Sequence, residues 1–276
     1  WLKPAPRNRN AGMRPPLGLR PPGGLMPAPQ VADFYAAHWP DFAPPLTEMA
    51  NQRGMNLTWV NKSTFEDIYF FNIRMGCVGD NMWSNSFKNI SVYGMSGPIS
   101  RTFWLQDQCN NIHFDRVEMR GFDGLIVTGS CAGLRLIACD IEGIEGVGST
   151  GVHLAPETGK KVSGVFISSY FERVEGVAVR CAGVDADSVR GLTITGEYIH
   201  GGRSDYFSGN GAEYAFFLIN IRGFSINAND LDDWTNGLYI DGTAKDGEIK
   251  YNSESRLNTF QSGTAGTGVT ITRAIS

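Results

Sequence analysis

The chain has 276 residues, of which 34 are glycine, 19% are charged and 11% are aromatic, and its formal net charge is -4. This length fits one large domain or two small ones. The abundance of glycine, β-branched and aromatic residues favours short strands joined by turns over helices. No run of about 20 apolar residues occurs, which excludes an ordinary transmembrane helix, and we expect no membrane insertion.

The first element is a proline-rich segment, residues 1–56. Eleven of the 13 prolines lie within the first 45 residues. Proline removes a backbone donor and restricts its neighbour, so this segment cannot form a sheet interior or a regular helix. Its apolar side chains favour an extended arm that binds another subunit or protein, with a disordered linker as the alternative. Residues 1–30 contain five basic residues and no acidic one, too sparse a pattern to indicate nucleic-acid binding.

From about Thr64 onward the sequence repeats a short unit, in which a small or turn residue precedes an apolar, variable, apolar triplet. Each unit has the period of two expected of a strand that places alternate side chains in a core. The shortest interval between units is 22 residues. One series of units starts at Asn89, Asn111, Gly133, Gly164, Gly191 and Gly223, and the other at Thr102, Gly124, Gly151, Gly176, Ala215, Gly237 and Gly268.

Two interleaved series of this kind predict an all-β solenoid over residues 57–276, a single-stranded parallel β-helix. A sandwich or a propeller would also alternate apolar and polar residues, but neither favours a minimal 22-residue unit with matched positions in consecutive turns.

The five cysteines are odd in number and lack metal-binding spacing, so we expect free buried thiols rather than disulfides.

The rungs "NIHFDRVEMRGFDGLIVTGS" and "GLRLIACDIEGIEGVGSTGVHL" resemble the right-handed parallel β-helix of pectate-lyase-like proteins and bacteriophage tailspikes. The resemblance covers about residues 60–276 and is architectural rather than catalytic. It implies a homotrimeric virion appendage, assembled in the host cytoplasm, that binds or cuts a bacterial surface polysaccharide. On this interpretation residues 1–56 anchor the chain to other virion proteins.

Aligning the rungs on their first strands places outward side chains in two columns that form a polar and acidic strip. The columns are about 6.8 Å apart, and adjacent members of one column are about 4.8 Å apart. The rung "SSYFERVEG" fits this alignment less well and offers Phe171, Glu172, Arg173 and Glu175. The first column contains Glu118, Asp140, Tyr198 and Asp230, and the second contains Arg120, Glu142, His200 and Asp232.

The strip suggests glycan chemistry, because glycoside hydrolysis needs paired carboxylates about 5 to 10 Å apart. A lyase would instead need a base beside a cation, for which His200, Tyr198 and Arg203 are the nearest set. A solvated surface without catalysis is the alternative, because outward positions of any sheet are polar. The candidate catalytic residues are Asp140, Glu142, His200 and Asp230.

The longest loop between matched strands, "HGGRSDYFSGNGAEY" from His200 to Tyr214, has glycines and aromatic residues suited to stacking on sugar rings. A loop packed on a neighbouring subunit is an equally good interpretation. Together with the strip, this loop gives the candidate glycan-binding residues Glu118, Arg120, Arg173, Tyr198, Arg203, Tyr206, Tyr214 and Asp232.

No nucleotide-binding, zinc-protease or serine-hydrolase motif occurs, and we expect neither a cofactor nor a metal. The leading hypothesis is a virion appendage for attachment and recognition of host surface polysaccharide. The second is a depolymerase, hydrolase or lyase, of bacterial capsule or O-antigen. A secreted pectate-lyase-like enzyme is the third.

Overall fold

The structure is a computed structural model that describes residues 53–94, 100–196, 198–201, 213–228, 230–251, 254–255 and 259–273. These residues contain 25 strands and no helix, so the prediction of an all-β fold is confirmed. The expected arm, apart from residues 53–56, lies outside the described residues.

The strands are β1 Arg53–Thr58, β2 Thr64–Glu66, β3 Tyr69–Ile73, β4 Met75–Trp83, β5 Ser86–Lys88, β6 Ser91–Gly94, β7 Arg101–Asn110, β8 His113–Asp115, β9 Glu118–Gly121, β10 Asp123–Val127, β11 Cys131–Ala132, β12 Arg135–Ile144, β13 Thr150–Leu154, β14 Val162–Val174, β15 Val177–Ala182, β16 Val189–Gly196, β17 Ile199–Gly201, β18 Tyr214–Ile219, β19 Ile221–Ala228, β20 Leu231–Asp232, β21 Asn236–Ile240, β22 Lys245–Tyr251, β23 Glu254–Ser255, β24 Thr259–Ser262 and β25 Val269–Arg273.

The strands pair in three parallel ladders. The first ladder runs β1-β4-β7-β10-β13-β15-β18-β21-β24, and the second runs β2-β5-β8-β12-β14-β16-β19-β22-β25. The third runs β3-β6-β9-β12-β14-β17-β20-β23, because the long strands β12 and β14 continue from the second ladder into the third. We call one pass of the chain through the three ladders a tier. Because these pairs are parallel, the antiparallel sandwich and propeller are excluded for the described residues.

Residues in the left-handed region mark the corner where each tier enters the second ladder. The backbone φ angle is 54° at Asn111 and between 63° and 74° at four equivalent glycines. Glycine and asparagine tolerate this conformation at little cost, whereas a β-branched residue does not. This requirement explains the small or turn residue at the head of the repeated unit. The four glycines are Gly133, Gly164, Gly191 and Gly223.

The core lies between the ladders and consists of the inward side chains of every tier. Phe114 is 1% exposed, and its ring stacks on that of Phe87 with centroids 5.1 Å apart. Phe87 stacks in turn on Phe65 at 5.1 Å. The edge of the Phe103 ring, from the first ladder, meets Phe114 at 4.9 Å. Equivalent residues of successive tiers therefore pack directly on one another, as the matched spacing of the repeats predicts.

Three repeated units differ from the sequence prediction, two in the ladder that they join and one in its position along the ladder. Asn89 leads into β6 of the third ladder, and Ser84 is the true equivalent of Asn111 in the second. Gly176 precedes the matching position, because Gly151 is in register with Ala178. The unit at Gly268 precedes β25, which continues the second ladder rather than the first. Each error arises because corner lengths vary, and the apolar alternation alone does not report which ladder a strand joins.

All five cysteines are free and buried, as expected from their number and spacing. Cys109 and Cys131 follow the paired residues Gln108 and Ser130, so they are neighbours in successive tiers. Burial raises the pKa of Cys109 to about 11 and that of Cys131 to about 12. These thiols are therefore protonated and unreactive at neutral pH.

Among the described residues, no helix has the length and apolarity needed to span a membrane.

We predict that Phe114→Ala lowers the free energy of unfolding by about 3 to 5 kcal/mol, because it removes a fully buried ring and leaves a cavity between Phe87 and Phe103. Urea unfolding followed by circular dichroism measures the loss. Val147→Ala, at a position 73% exposed, is the control and should change little. A loss of less than about 1 kcal/mol for Phe114→Ala would contradict the packing described here.

Candidate functional site

Two columns of outward side chains on the third ladder form an elongated surface, which we call the strip. Between them, the alternate residues point inward, as Met119, Ile141 and Phe171 do with 0% exposure. The register of the third ladder defines both columns. The first column is Tyr69, Ser91, Glu118, Asp140, Tyr170, Tyr198 and Asp230, and the second is Phe71, Tyr93, Arg120, Glu142, Glu172, His200 and Asp232.

The eight residues assigned to columns from the sequence lie in the columns expected, but the tier of β14 was placed one residue out of register. Asp140 is opposite Tyr170, and Glu142 is opposite Glu172. Phe171, which the alignment offered to the strip, is buried in the core. The cause is a bulge in β12 near Ala138, whose φ is 51°. β14 passes the same corner with one residue fewer, and no sequence signal marks the difference.

Arg120 is the centre of the acidic part of the strip. Its Nη2 lies 2.7 Å from Oε1 of Glu118 and 2.5 Å from Oε2 of Glu142. Its guanidinium carbon lies 4.9 Å from the centre of the Tyr93 ring, and the Tyr93 hydroxyl donates to the same Glu118 oxygen at 2.6 Å. Charge-assisted bonds of this kind, between partly buried groups, fix the positions of both carboxylates. Arg173 adds a longer contact, with Nη1 4.0 Å from Glu142.

Asp140 lies beside this cluster without a cation of its own. Its Oδ1 is buried and accepts no hydrogen bond from the described residues. Burial, followed by the charges of Glu142 and Glu118, raises the pKa of Asp140 to about 6, against an opposing effect of Arg120. Asp140 and Glu142 therefore differ in environment, because Arg120 compensates the charge of Glu142 directly. Two carboxyl groups in such unlike surroundings are the arrangement that acid–base chemistry uses.

Tyr170 and Tyr198 form the aromatic centre of the strip. Their rings stack with centroids 5.1 Å apart and an interplanar angle of 12°. Tyr170 is 38% exposed, and its hydroxyl donates to Oε2 of Glu172 at 2.7 Å. Burial and this hydrogen bond raise the pKa of Tyr170, so its hydroxyl is a proton donor throughout the neutral range. Tyr170 is the strip residue that the sequence alignment missed at this point, whereas Glu172 was among the residues offered by the same rung.

His200 is turned toward Asp233, which is buried, and Asp232, which is half-buried. Its Nε2 lies 3.1 Å from Oδ2 of Asp233 and 3.6 Å from Oδ2 of Asp232, while its ring is 5.4 Å from that of Tyr198. His200 is 8% exposed and Asp233 is 2% exposed. The adjacent Trp234 is buried and donates its indole N–H to the Ile199 carbonyl at 3.0 Å. This end of the strip is therefore a packed acid–histidine group, and sequence reasoning did not identify Asp233.

The N-terminal end of the strip is aromatic. Tyr69 is 62% exposed and Phe71 is 51% exposed. Their rings lie 5.4 Å and 6.2 Å, respectively, from that of Tyr93. Sequence reasoning placed no candidate here, although aromatic residues at alternate positions of "YFF" and "VYG" carried the signal. The strip thus extends two tiers further than predicted.

The remaining candidates do not all join the strip. Tyr214 lies on the first ladder, where its ring meets those of Phe217 and Tyr239 at 5.8 Å and 5.9 Å. Arg203 and Tyr206 lie outside the described residues. Asp230 follows Tyr198 in the first column and accepts a backbone hydrogen bond from Ile199 through its carbonyl oxygen.

Two groups in the strip have donor atoms of the kinds that divalent cations bind. One is Glu118, Asp140 and Glu142, and the other is His200, Asp232 and Asp233, and within each group the donor atoms lie within 4.8 Å of one another. In the first group Arg120 already neutralises two carboxylates. The arrangement of that group therefore fits an arginine-centred cluster as well as a cation site.

Comparison with known proteins identifies no relative. No protein-family model, no curated protein and no solved structure matches the chain. The assignment of function therefore depends on the chemistry of the strip itself. Its donors, acceptors and exposed rings are arranged in a line, which suits an extended polar ligand better than a compact one.

We predict that the carboxyl group of Asp140 titrates near pH 6 and that Glu142→Gln lowers its pKa, because the substitution removes the like charge that contributes most to the raised pKa after burial. A titration of side-chain carboxyl carbons by NMR measures both values, with the Asp140 signal assigned by its loss in Asp140→Asn. Glu248→Gln, on the second ladder, is the control and should leave the pKa of Asp140 unchanged. A midpoint near the ordinary value of 3.8 in the unchanged protein would contradict this environment.

Proposed function

We propose that the chain is a right-handed, single-stranded parallel β-helix of a bacteriophage appendage, and that its strip binds a bacterial surface polysaccharide. The β-helix is supported by the three parallel ladders, through which successive stretches of the chain pass in the same order. Right-handed winding agrees with the handedness of nearly all crossovers between parallel strands. The virion setting, with a homotrimer anchored through residues 1–56, is supported by the resemblance of the repeats to tailspikes.

The observation that carries the binding function is the stacked aromatic pair of Tyr170, which is 38% exposed, and Tyr198, which is half-buried, set among carboxylates on a sheet face. A sugar ring offers an apolar C–H face that packs on an aromatic ring, and hydroxyl groups that donate to carboxylates. The strip offers both partners at its centre, where Tyr170 is opposite Asp140 in one neighbouring tier and Tyr198 in the other. An ordinary solvated sheet face would not need exposed aromatic side chains in register, and contiguous exposed apolar groups commonly mark interaction sites.

The length of the strip agrees with a polymeric ligand. Seven tiers, from Tyr69 to Asp230, are spaced by about 4.8 Å and therefore span about 29 Å. A surface of this length contacts several sugar units of one chain. A small ligand would instead be expected in a concave pocket.

We predict that Tyr170→Ala and Tyr198→Ala each weaken binding of the recognised polysaccharide by roughly tenfold, equivalent to about 1.4 kcal/mol. Each substitution removes one ring of the stacked pair from the centre of the strip. An array of purified bacterial capsule and O-antigen polysaccharides, followed by titration calorimetry, identifies the ligand and measures its affinity. Tyr239→Ala is the matched control, because Tyr239 belongs to the first ladder and should not affect binding. Equal affinities for all variants, or no binding to any polysaccharide, would refute the proposal.

Polysaccharide hydrolysis is the second candidate function, and the environments of Asp140 and Glu142 favour it. Asp140, with its pKa raised to about 6, retains a proton at pH values at which an ordinary aspartate has lost it. The Arg120 guanidinium contacts Glu142, with Nη2 2.5 Å from Oε2. One oxygen of each carboxyl group lies within 4.8 Å of the other, which is shorter than the 6.5 to 9.5 Å that inverting glycosidases leave for a water molecule.

If the chain hydrolyses its ligand, Asp140→Asn and Glu142→Gln should each lower the rate of oligosaccharide release at least a hundredfold, because each removes one of the two required groups. Both variants should still bind the polysaccharide. Reducing-end assays and plaque halos measure release, and Glu157→Gln in an exposed loop is the control. A protein that binds a polysaccharide and releases no oligosaccharide from it would show that the strip is a binding surface without hydrolase activity.

A further inference from the structure

A second cluster of polar and aromatic side chains lies on the outward face of the first ladder. Leu125 and Val127, on either side of Ile126, are buried in the core with 0% exposure, so Ile126 and the residues in register with it face outward. Two charged residues, Arg101 and Asp123, begin the paired strands β7 and β10 beside this column. We call the column and these two residues the arginine face. The column is Trp104, Ile126, His153, Arg180, Phe217 and Tyr239.

Both arginines of this face lie over aromatic rings. The guanidinium carbon of Arg101 is 4.4 Å from the centre of the Trp104 ring, and that of Arg180 is 4.7 Å from the centre of the Phe217 ring. The Phe217 ring stacks in turn on Tyr239, with centroids 4.4 Å apart. In each arginine the Nε atom is buried and has no hydrogen-bond partner within the described part of the chain. A cation–π contact uses the flat surface of the guanidinium and none of its N–H donors, which remain in its plane for an acceptor.

Asp123 compensates these two cations only in part. It is 6% exposed, and its Oδ2 lies 3.9 Å from Nε of Arg101, which is longer than a hydrogen bond. Burial raises the pKa of Asp123 to about 6, against opposing effects of Arg101 and Arg180. One acid of this kind faces two permanent cations. The arginine face is therefore positive, on a chain whose formal net charge is -4, and a positive patch attracts anions.

His153 lies between the two arginines along the column. It is opposite Arg180 in one neighbouring tier and Ile126 in the other, and Ile126 is in turn opposite Trp104 in the strand of Arg101. Burial, followed by the charges of Arg180 and then Arg101, lowers the pKa of His153 to about 4. The positive fields of both arginines therefore converge at this ring. A neutral imidazole there donates one hydrogen bond, which adds to the donors of the guanidinium groups.

We propose that the arginine face binds the carboxylate of an acidic sugar between Arg101 and Arg180, beside His153. A carboxylate matches the paired N–H donors of a guanidinium group. The C–H face of the sugar packs on an aromatic ring, for which the half-buried Trp104 and Phe217 stand at either end. The proposal does not rest on the glycan binding proposed for the strip, because this site belongs to another ladder and has the opposite charge.

Glucuronate and glucose are matched probes of this site, because glucuronate has a carboxylate where glucose has a hydroxymethyl group. An NMR titration follows the ring C–H signals of His153, assigned by their loss in His153→Gln. We predict that glucuronate binds with a dissociation constant of about 1 to 10 mM. It should raise the pKa of His153 above about 4, because a bound anion offsets the charges that lower it. Glucose should do neither.

The second ladder provides a matched control for this titration. Burial and the charge of Arg135 lower the pKa of His113, so His113 resembles His153 but has one arginine neighbour rather than two. Glucuronate should leave the pKa of His113 unchanged. Arg135→Gln should likewise leave the affinity for glucuronate unchanged. Tyr170→Ala, on the strip, should also have no effect on this affinity, so the two proposals fail separately.

We predict that Arg180→Gln weakens glucuronate binding at least tenfold, because it removes one of the two cations that contact the carboxylate. In the protein without ligand, the same substitution should raise the pKa of His153, since Arg180 is the charge that lowers it most. Circular dichroism checks the fold of the variant, and Arg101→Gln takes its place if Arg180→Gln does not fold. Equal responses to glucose and glucuronate would overturn the proposal. So would the absence of any response at about 100 mM glucuronate, or an affinity that survives the loss of either arginine.

Discussion

The in-register stacking of parallel strands is the constraint on which the rest of the structure depends. Phe65, Phe87 and Phe114 stack because equivalent residues of successive tiers share one position along the ladder. A residue added inside a strand would turn every later side chain to the opposite face. Variation in length is therefore confined to the corners, where Asn111 and its equivalent glycines take left-handed conformations. Outward side chains inherit the same register, and this produces the two columns of the strip.

Much of the fold could be predicted from the sequence, because the core imposes a strict pattern on inward positions. The heads of the second-ladder units from Asn111 to Gly223 were aligned correctly, since each needs a residue that tolerates positive φ. The equivalent of Asn111 in the preceding tier was misplaced at Asn89, because Ser84 there has no such compositional signal although its φ is 56°. Corner conformation is therefore readable only where glycine or asparagine marks it.

The columns of the strip could be predicted from the sequence only where the register between successive tiers could be predicted. Glu118, Asp140 and Tyr198 were placed in one column because their tiers have equal lengths from the preceding corner. Tyr170 was missed because β14 lacks the extra residue that β12 accommodates at Ala138. A bulge changes the register by one residue without changing composition, so alternation alone cannot detect it. The stacked pair of Tyr170 and Tyr198 is consequently a feature that only the three-dimensional structure provides.

The unequal environments of Asp140 and Glu142 follow from the column in which each lies. Glu142 is opposite Arg120 in the neighbouring tier and therefore receives a cation. Asp140 is opposite Glu118 on one side and Tyr170 on the other, so its column offers no positive charge. A side chain two residues away in sequence thus has a different charge environment, because alternate outward positions belong to different columns.

All strands of the third ladder are parallel, and the composition of the strip changes along it. The end at Tyr69 and Phe71 is aromatic, the middle is organised by Arg120, and the far end is the acid–histidine group around His200. A ligand chain that runs in one direction along this face meets these groups in a different order from a chain that runs in the other. If the strip binds a polymer, as proposed, it would distinguish the two directions of that polymer, which a symmetric or uniformly acidic face would not do.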